Sequence, residues 1–185
     1  MHHANTLDLS RTALVVIDMQ ESFRPIISDF AETAARIALI AHAAHLLKLP
    51  VLVTEQYPKG LGATANEIRA VLPAGQEAIE KTAFSSCGAQ SFVSLLQQTG
   101  AQQILVCGIE AHICVNQTTH DLLARGYQVH LLTDCITARA PESKEVGLTK
   151  MQRSGALPSS TEMALFELLR DAQHKQFKAV QKLIK

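Results

Sequence analysis

The stretch Ile104-Leu-Val-Cys-Gly-Ile-Glu-Ala-His-Ile-Cys114-Val115 decides how this chain is read. It opens as an apolar run over 104–107 with β-branched residues, meets Gly108, and turns polar at Glu110 and His112. Beyond Cys114 the spacing of Val115, Thr118 and Leu122 is helical, with Gly126 as a stop. Buried strand, tight turn and helix follow one another in that order. A cysteine at a helix start meets free N–H groups and the positive end of the helix dipole, and both favour a thiolate. Two roles suit Cys114: a nucleophile, or a small apolar residue packing the corner between strand and helix.

The same alternation runs outward in both directions. Thr12-Ala-Leu-Val-Val-Ile-Asp18 is an apolar strand ending in an acid, and its lack of polar alternation implies cover on both faces, as in a parallel sheet. The segment 20–27 reads as a loop holding Phe23. Ala-rich helical spacing over 30–48 stops before Pro50, and 51–54 form a second strand. The irregular connection 55–62 is of the kind that carries function in α/β proteins. A short helix over 64–72, a strand over 78–81 ending in Lys81, and a turn at Phe84-Ser-Ser-Cys-Gly88 come next. Ser85 or Ser86 is placed to cap a helix running to Gln98. Downstream of the central stretch lie a strand over 127–133, a loop over 135–141, a helix to about residue 154 and a last strand within 156–160. A helix from Ser160 or Thr161 and an amphipathic tail over 175–185 complete the chain. Strands alternating with helices predict one doubly wound α/β domain over 1–185.

Composition agrees. The 185 residues suit one domain, and 47% hydrophobic with 18% charged residues supports a large core. Seventeen basic and seventeen acidic side chains cancel, and no Trp is available for base stacking, so no nucleic acid is expected as a partner. Arg36, His42, His45 and Lys48 interrupt the apolar stretch 34–49, so no membrane span is expected. His2, His3, Asn5, Thr6 and Asp8 are too polar for a signal core. Cys87, Cys107, Cys114 and Cys135 lack CxxC spacing and read as reduced thiols of a cytoplasmic protein. His42 and His45 have no acidic or cysteine partner nearby in sequence and read as packing or surface residues rather than a metal pair.

Asp18, Lys81 and Cys114 each follow a strand, and in an open parallel sheet such ends line the edge where ligands sit. An acid, a cation and a thiol in one cleft make coherent chemistry. The lysine favours the thiolate, the aspartate takes the thiol proton, and the sulfur attacks a carbonyl. Taken singly, Asp18 also suits a cap and Lys81 a solvated cation.

Three motifs in order, Leu14-Val-Val-Ile-Asp-Met-Gln20, Glu80-Lys-Thr-Ala-Phe-Ser85 and Gly108-Ile-Glu-Ala-His-Ile-Cys-Val115, resemble the isochorismatase-like cysteine hydrolases. Thr118, Asp121, Arg125, Gly126, Tyr127 and Asp134 stand at the family spacing. The likeness runs from about residue 12 to 169. The 54–62 loop and Phe177-Lys178 look most like the isochorismatase domain-containing branch. The resemblance implies a three-layer α/β fold, with a doubly wound six-stranded parallel sheet and helices on both faces, and a catalytic triad of Asp18, Lys81 and Cys114. It also implies a cis peptide between Ile109 and Glu110, and an oxyanion hole built from the backbone N–H groups of Glu110 and Cys114. Nicotinamidases of this superfamily carry an Asp-x-His metal motif where this chain has Glu55-Gln56-Tyr57, so no metal and no cofactor are expected. Cys114 argues against the vinyl ether substrate of isochorismatase itself.

The expected activity is hydrolysis of a small amide or acyl compound through a thioester. Phe23, Tyr57, Phe84 and His112 are candidates for contact with the small-molecule substrate, against a plain packing role for the aromatics. Two alternatives stand beside it: a catalytically silent oligomeric scaffold, and a redox-responsive thiol protein in which Cys87 or Cys135 resolves an oxidised Cys114. Apolar helix faces and the amphipathic tail suggest a homo-oligomer.

Overall fold

The computed structural model describes residues 3–185, so of the positions named above His2 lies outside it. Every residue of strand β1 (Thr12–Ile17) is buried, as a strand covered on both faces requires. Leu14 and Val16 enter one core, while Ala13, Val15 and Ile17 enter another. Around β1 lie β2 (Val51–Gln56), β3 (Ile79–Lys81), β4 (Gln103–Gly108), β5 (Gln128–Ile136) and β6 (Leu157–Ser159). The sheet order is β3-β2-β1-β4-β5-β6, and every pairing is parallel.

Helices cover both faces. Helix α1 (Phe30–Leu47) buries Phe30, Ala34, Ile37, Ala41 and Ala44 at the i, i+3, i+4 spacing of an amphipathic helix. The single turn α2 (Pro58–Leu61) begins on Pro58. Helix α3 (Asn66–Arg69), α7 (Thr161–Leu169) and α8 (Phe177–Ile184) share the face of α1. Helices α4 (Gln90–Gln98), α5 (Asn116–Ala124) and α6 (Pro141–Arg153) cover the other. The link from β1 to β2 runs over the first face and the link from β3 to β4 over the second. The winding therefore reverses between β1 and β4, and their carboxyl ends flank the crevice where open α/β sheets hold ligands.

Several boundaries differ from the sequence reading. Strand β2 runs on to Gln56, and β5 to Ile136, which takes Cys135 into the sheet. The β4–β5 register shifts between Val106 and Gly108, where extra β5 residues are accommodated. The expected helix over 64–72 shrinks to one turn. The expected helix from Ser85 is split: Ser85 caps a short 3-10 turn (Ser86–Gly88), and α4 starts behind Ala89 without a side-chain cap. Gly88 lies so close to Ala83 that a Cβ there would overlap the Ala83 methyl, which keeps this turn folded back on the end of β3.

Candidate active site

Gly108 sets the site. Its φ is +117°, and a Cβ would collide with the Ile17 carbonyl, so β4 can end this close to β1 only with glycine. Ile109 N–H then donates to Ile17 O at 2.9 Å, which brings the chain after β4 beside Asp18. The Ile109–Glu110 peptide is cis. From Ala111 the backbone forms one π-helical turn (Ala111–Val115), and Val115 N–H reaches back to Glu110 O at 3.3 Å. Turns of this kind recur at functional sites. Gly147 of α6 packs against this turn, where a Cβ would lie 2.8 Å from Ala111 O.

Asp18, one residue past β1, adopts φ +50°. Its amide donates to Thr54 O at 3.1 Å, and its carboxylate is held from two sides. Thr54 Oγ1 donates to Oδ1 at 2.7 Å, and Lys81 Nζ donates to Oδ2 at 2.6 Å. The Lys81 ammonium also donates to Gln56 Oε1 at 2.8 Å, Phe84 O at 3.0 Å and Ala83 O at 3.2 Å. Four acceptors compensate an ammonium whose side chain is 0% exposed, against 2% for Asp18. The structure thus draws Asp18 and Lys81 together, and the solvated reading of Lys81 falls away.

Cys114 is 7% exposed and close enough to Asp18 for the carboxylate's charge to act on it. Burial foremost, then the Asp18 charge, push its thiol up to about 12, with Lys81 pulling the other way. This corrects the expectation of a favoured thiolate. Cys114 does lie at a helix start, in the π-helical turn that runs straight on into α5, but burial outweighs that placement, and the lysine's charge is already matched by the aspartate.

The Glu110 carboxylate accepts both the backbone N–H and the Nε–H of Arg139 at 3.0 Å. The Glu110 backbone N–H has no hydrogen-bond partner among the described residues, and that of Cys114 has none outside its own turn. His112 is half-buried with an unpartnered Nδ1. Phe23 packs on the core under α1. Tyr57 and Phe84 are 55% and 54% exposed, and a Cβ on Gly60 would strike the Tyr57 ring, so that glycine seats it. A cavity of about 520 Å³ opens beside Lys81, walled by Tyr57, Lys59, Glu80 and Ser91, and Cys114 is not among its lining residues.

Cys135 and Cys107 lie fully buried in the core on the α1 face, whereas Cys114 belongs to the core on the opposite face. A Cys114–Cys135 disulfide would require the sheet to open. Among the described residues no three His, Cys, Asp or Glu side chains gather as a metal ion needs, and no helix is long and apolar enough to cross a membrane. The sequence reading offers Ser86 as a cap and sets Thr118 at the family spacing on the helix after Cys114, but it gives Thr54, Ser86 and Thr118 no part in the site.

Residues 12–163 match the family described as the Isochorismatase domain. Isochorismatase domain-containing protein 2 of Homo sapiens is 41% identical over 174 residues, which span 94% of this chain and 83% of that protein. Its Danio rerio namesake is 38% identical over 178 residues, 96% of this chain and 89% of that one. Among solved structures, the MAR1 ribonuclease from Caenorhabditis elegans superposes with a TM-score of 0.92 at 36% identity, covering 97% of this chain and 92% of that one. YcaC of Escherichia coli, described as an octameric hydrolase of unknown specificity, shares the fold, with a TM-score of 0.90 at 19% identity over 100% of this chain and 91% of its own. The chain belongs to the isochorismatase domain family and carries the six-stranded parallel sheet of the isochorismatase-like hydrolases.

Proposed function

We propose that the protein is a metal-independent cysteine hydrolase of small amide or acyl compounds, with Cys114, Asp18 and Lys81 as its catalytic residues. The observation that carries this reading is a buried ion pair, Lys81 with Asp18, set against a thiol at the crevice between β1 and β4. A thiol raised to about 12 makes the resting state a neutral sulfhydryl beside a carboxylate. Proton loss then accompanies attack. Asp18 takes the proton as the C–S bond forms, and the carbonyl electron pair moves onto oxygen. The N–H groups of Glu110 and Cys114 are the proposed donors to that oxyanion; one such donor is typically worth about 10²–10³ in rate. Collapse expels the amine, which takes the proton from Asp18. Water then cleaves the thioester with Asp18 again as base, and the thiol is restored. Lys81 keeps Asp18 in place and balances its charge throughout.

A thiol this covered suits a small substrate, which is why a macromolecular one is not proposed. Tyr57, which lines the cavity beside Lys81, is offered as a pocket wall, with Phe23, Phe84 and His112 as further candidates for substrate contact. Four free thiols fit a reducing cytoplasm, and a homo-oligomer is proposed in keeping with the octameric E. coli relative. The test is a panel of small amides and esters, with RNA as a further arm because the C. elegans relative is described as a ribonuclease. The expected result is turnover of a small amide that disappears in Cys114→Ala while the fold is kept. Turnover that survives Cys114→Ala, or hydrolysis of RNA alone, overturns the proposal.

A further inference from the structure

Three hydroxyls behind Asp18 are left over from this mechanism. Thr54, Ser86 and Thr118 are all fully buried and come from three separate elements, β2, the turn after β3, and α5. Thr54 Oγ1 donates to Asp18 Oδ1 at 2.7 Å. Its oxygen lies 3.5 Å from Ser86 Oγ, and Thr118 Oγ1 donates to Ser86 Oγ at 3.3 Å. The Ser86 N–H closes the loop by donating to Thr118 Oγ1 at 2.9 Å.

A hydroxyl has one proton to give, and a carboxylate can only accept. Thr54 spends its proton on Asp18, so Ser86 must be the donor in the contact between them. The Ser86 proton is then spent too, which agrees with Thr118 donating to Ser86. All three O–H bonds therefore point the same way along the chain, toward Asp18. Aligned hydroxyls polarise one another and strengthen the last bond. Donation to a carboxylate favours its ionised form.

We propose that Thr54, Ser86 and Thr118 are positioning residues whose aligned hydroxyls hold Asp18 as an anion and thereby keep Cys114 protonated in the resting protein. The proposal rests on the reading of Asp18 as acceptor of the Cys114 proton. Its chemical sense is protection. A resting thiolate is open to any passing oxidant or electrophile, whereas a thiol that gives up its proton only as a carbonyl arrives is not. The chain also ties α5, which follows the nucleophile's turn, to the base on the far side of the crevice.

The test is the rate at which iodoacetamide labels Cys114 at pH 7, followed by mass mapping of the Cys114 peptide. Thr54→Val keeps the volume and loses the donor. Proton transfer from sulfur to Asp18 becomes easier, and labelling accelerates about tenfold, the scale of one hydrogen bond to a charged group. Thr54→Ser keeps the donor and loses a methyl; it stays within about threefold of native. Loosened packing predicts the reverse order, a fast Thr54→Ser and a slow Thr54→Val. Ser86→Ala accelerates labelling about threefold alone and adds nothing in the Thr54→Val background, because its influence passes through Thr54.

A Thr54→Val rate at the native level, or a Thr54→Ser rate equal to that of Thr54→Val, overturns the proposal. Should Thr54→Val unfold, the Ser86→Ala rate decides, and a native rate there is equally fatal. Labelling needs no substrate, so the two ideas fail separately. An expected labelling series without amide turnover sinks the hydrolase and leaves the hydroxyl chain standing. Cys114-dependent turnover with an unchanged labelling series does the opposite.

Discussion

Lys81 Nζ and Asp18 Oδ2 lie 2.6 Å apart with both side chains almost wholly out of solvent. Taking two charges out of water costs several kcal/mol each, and only close pairing with further hydrogen bonds recovers it. Removing one partner is therefore worse than removing both. Lys81→Met is expected to destabilise the fold by about 3–5 kcal/mol in urea unfolding. Adding Asp18→Asn to that variant should recover part of the loss. A double variant as unstable as the sum of the singles would show that the pair is not coupled.

Gly108 is the backbone counterpart of that pair. Gly108→Ala drives a methyl into the Ile17 carbonyl at a φ that alanine avoids. The strain alone is about 1–3 kcal/mol, and the overlap adds to it. Thermal melting reads the loss, and Cys114 labelling reads the displaced turn. A variant as stable as native and labelled at the native rate would contradict the close approach.

The buried thiols set the alkaline limit. Cys114 and Cys135 are pushed up to about 12, and Cys107 well above its ordinary value, all chiefly by burial. A raised thiol stays protonated in the folded chain and ionises sooner once unfolded. The stability it confers is whole below the unfolded value near 9 and drains away as pH rises from there toward 12. Melting temperature should fall steadily above pH 9. Cys135→Ala should flatten that fall, and an unchanged slope would count against the assignment.

On the acid side His130 acts in the opposite sense. It lies in β5 with Nε2 unpartnered, and burial lowers its protonation range despite the nearby Glu167. The unfolded chain therefore binds the proton first, and stability is lost as pH falls below about 6.5. His130→Leu should make the stability curve between pH 7 and 5 less steep than native. Equal steepness in the two proteins would remove His130 as the cause.

The strands that carry the site were readable because burial on both faces leaves an unbroken apolar run, as in Thr12–Ile17. Asp18 stood out because it directly follows such a run, Lys81 because it ends a short strand, and Cys114 because it lies in the turn after another apolar run. The electrostatics were not readable. From residue types, a lysine and a helix start both favour a thiolate. In the fold the lysine is engaged by Asp18, and the cysteine sits inside a π-helical turn, with burial dominating both. The hydroxyl chain was equally hidden, since Thr54, Ser86 and Thr118 are ordinary residues until the sheet order brings their elements side by side. Cys135 was placed in a loop because nothing local announces the register shift that draws it into β5.

The three reactive groups stand on separate strand ends, while the exposed rings of Tyr57 and Phe84 belong to the segments between them. The Tyr57 and Phe84 side chains can therefore be replaced without removing a side-chain contact to Asp18 or Lys81, because Phe84 meets Lys81 only through its backbone carbonyl. Gln56 at the end of β2 and the Phe84 carbonyl both hold the Lys81 ammonium, so a graft that is to change specificity alone keeps Gln56 and the Phe84 backbone and replaces only the residues from 57 to 63.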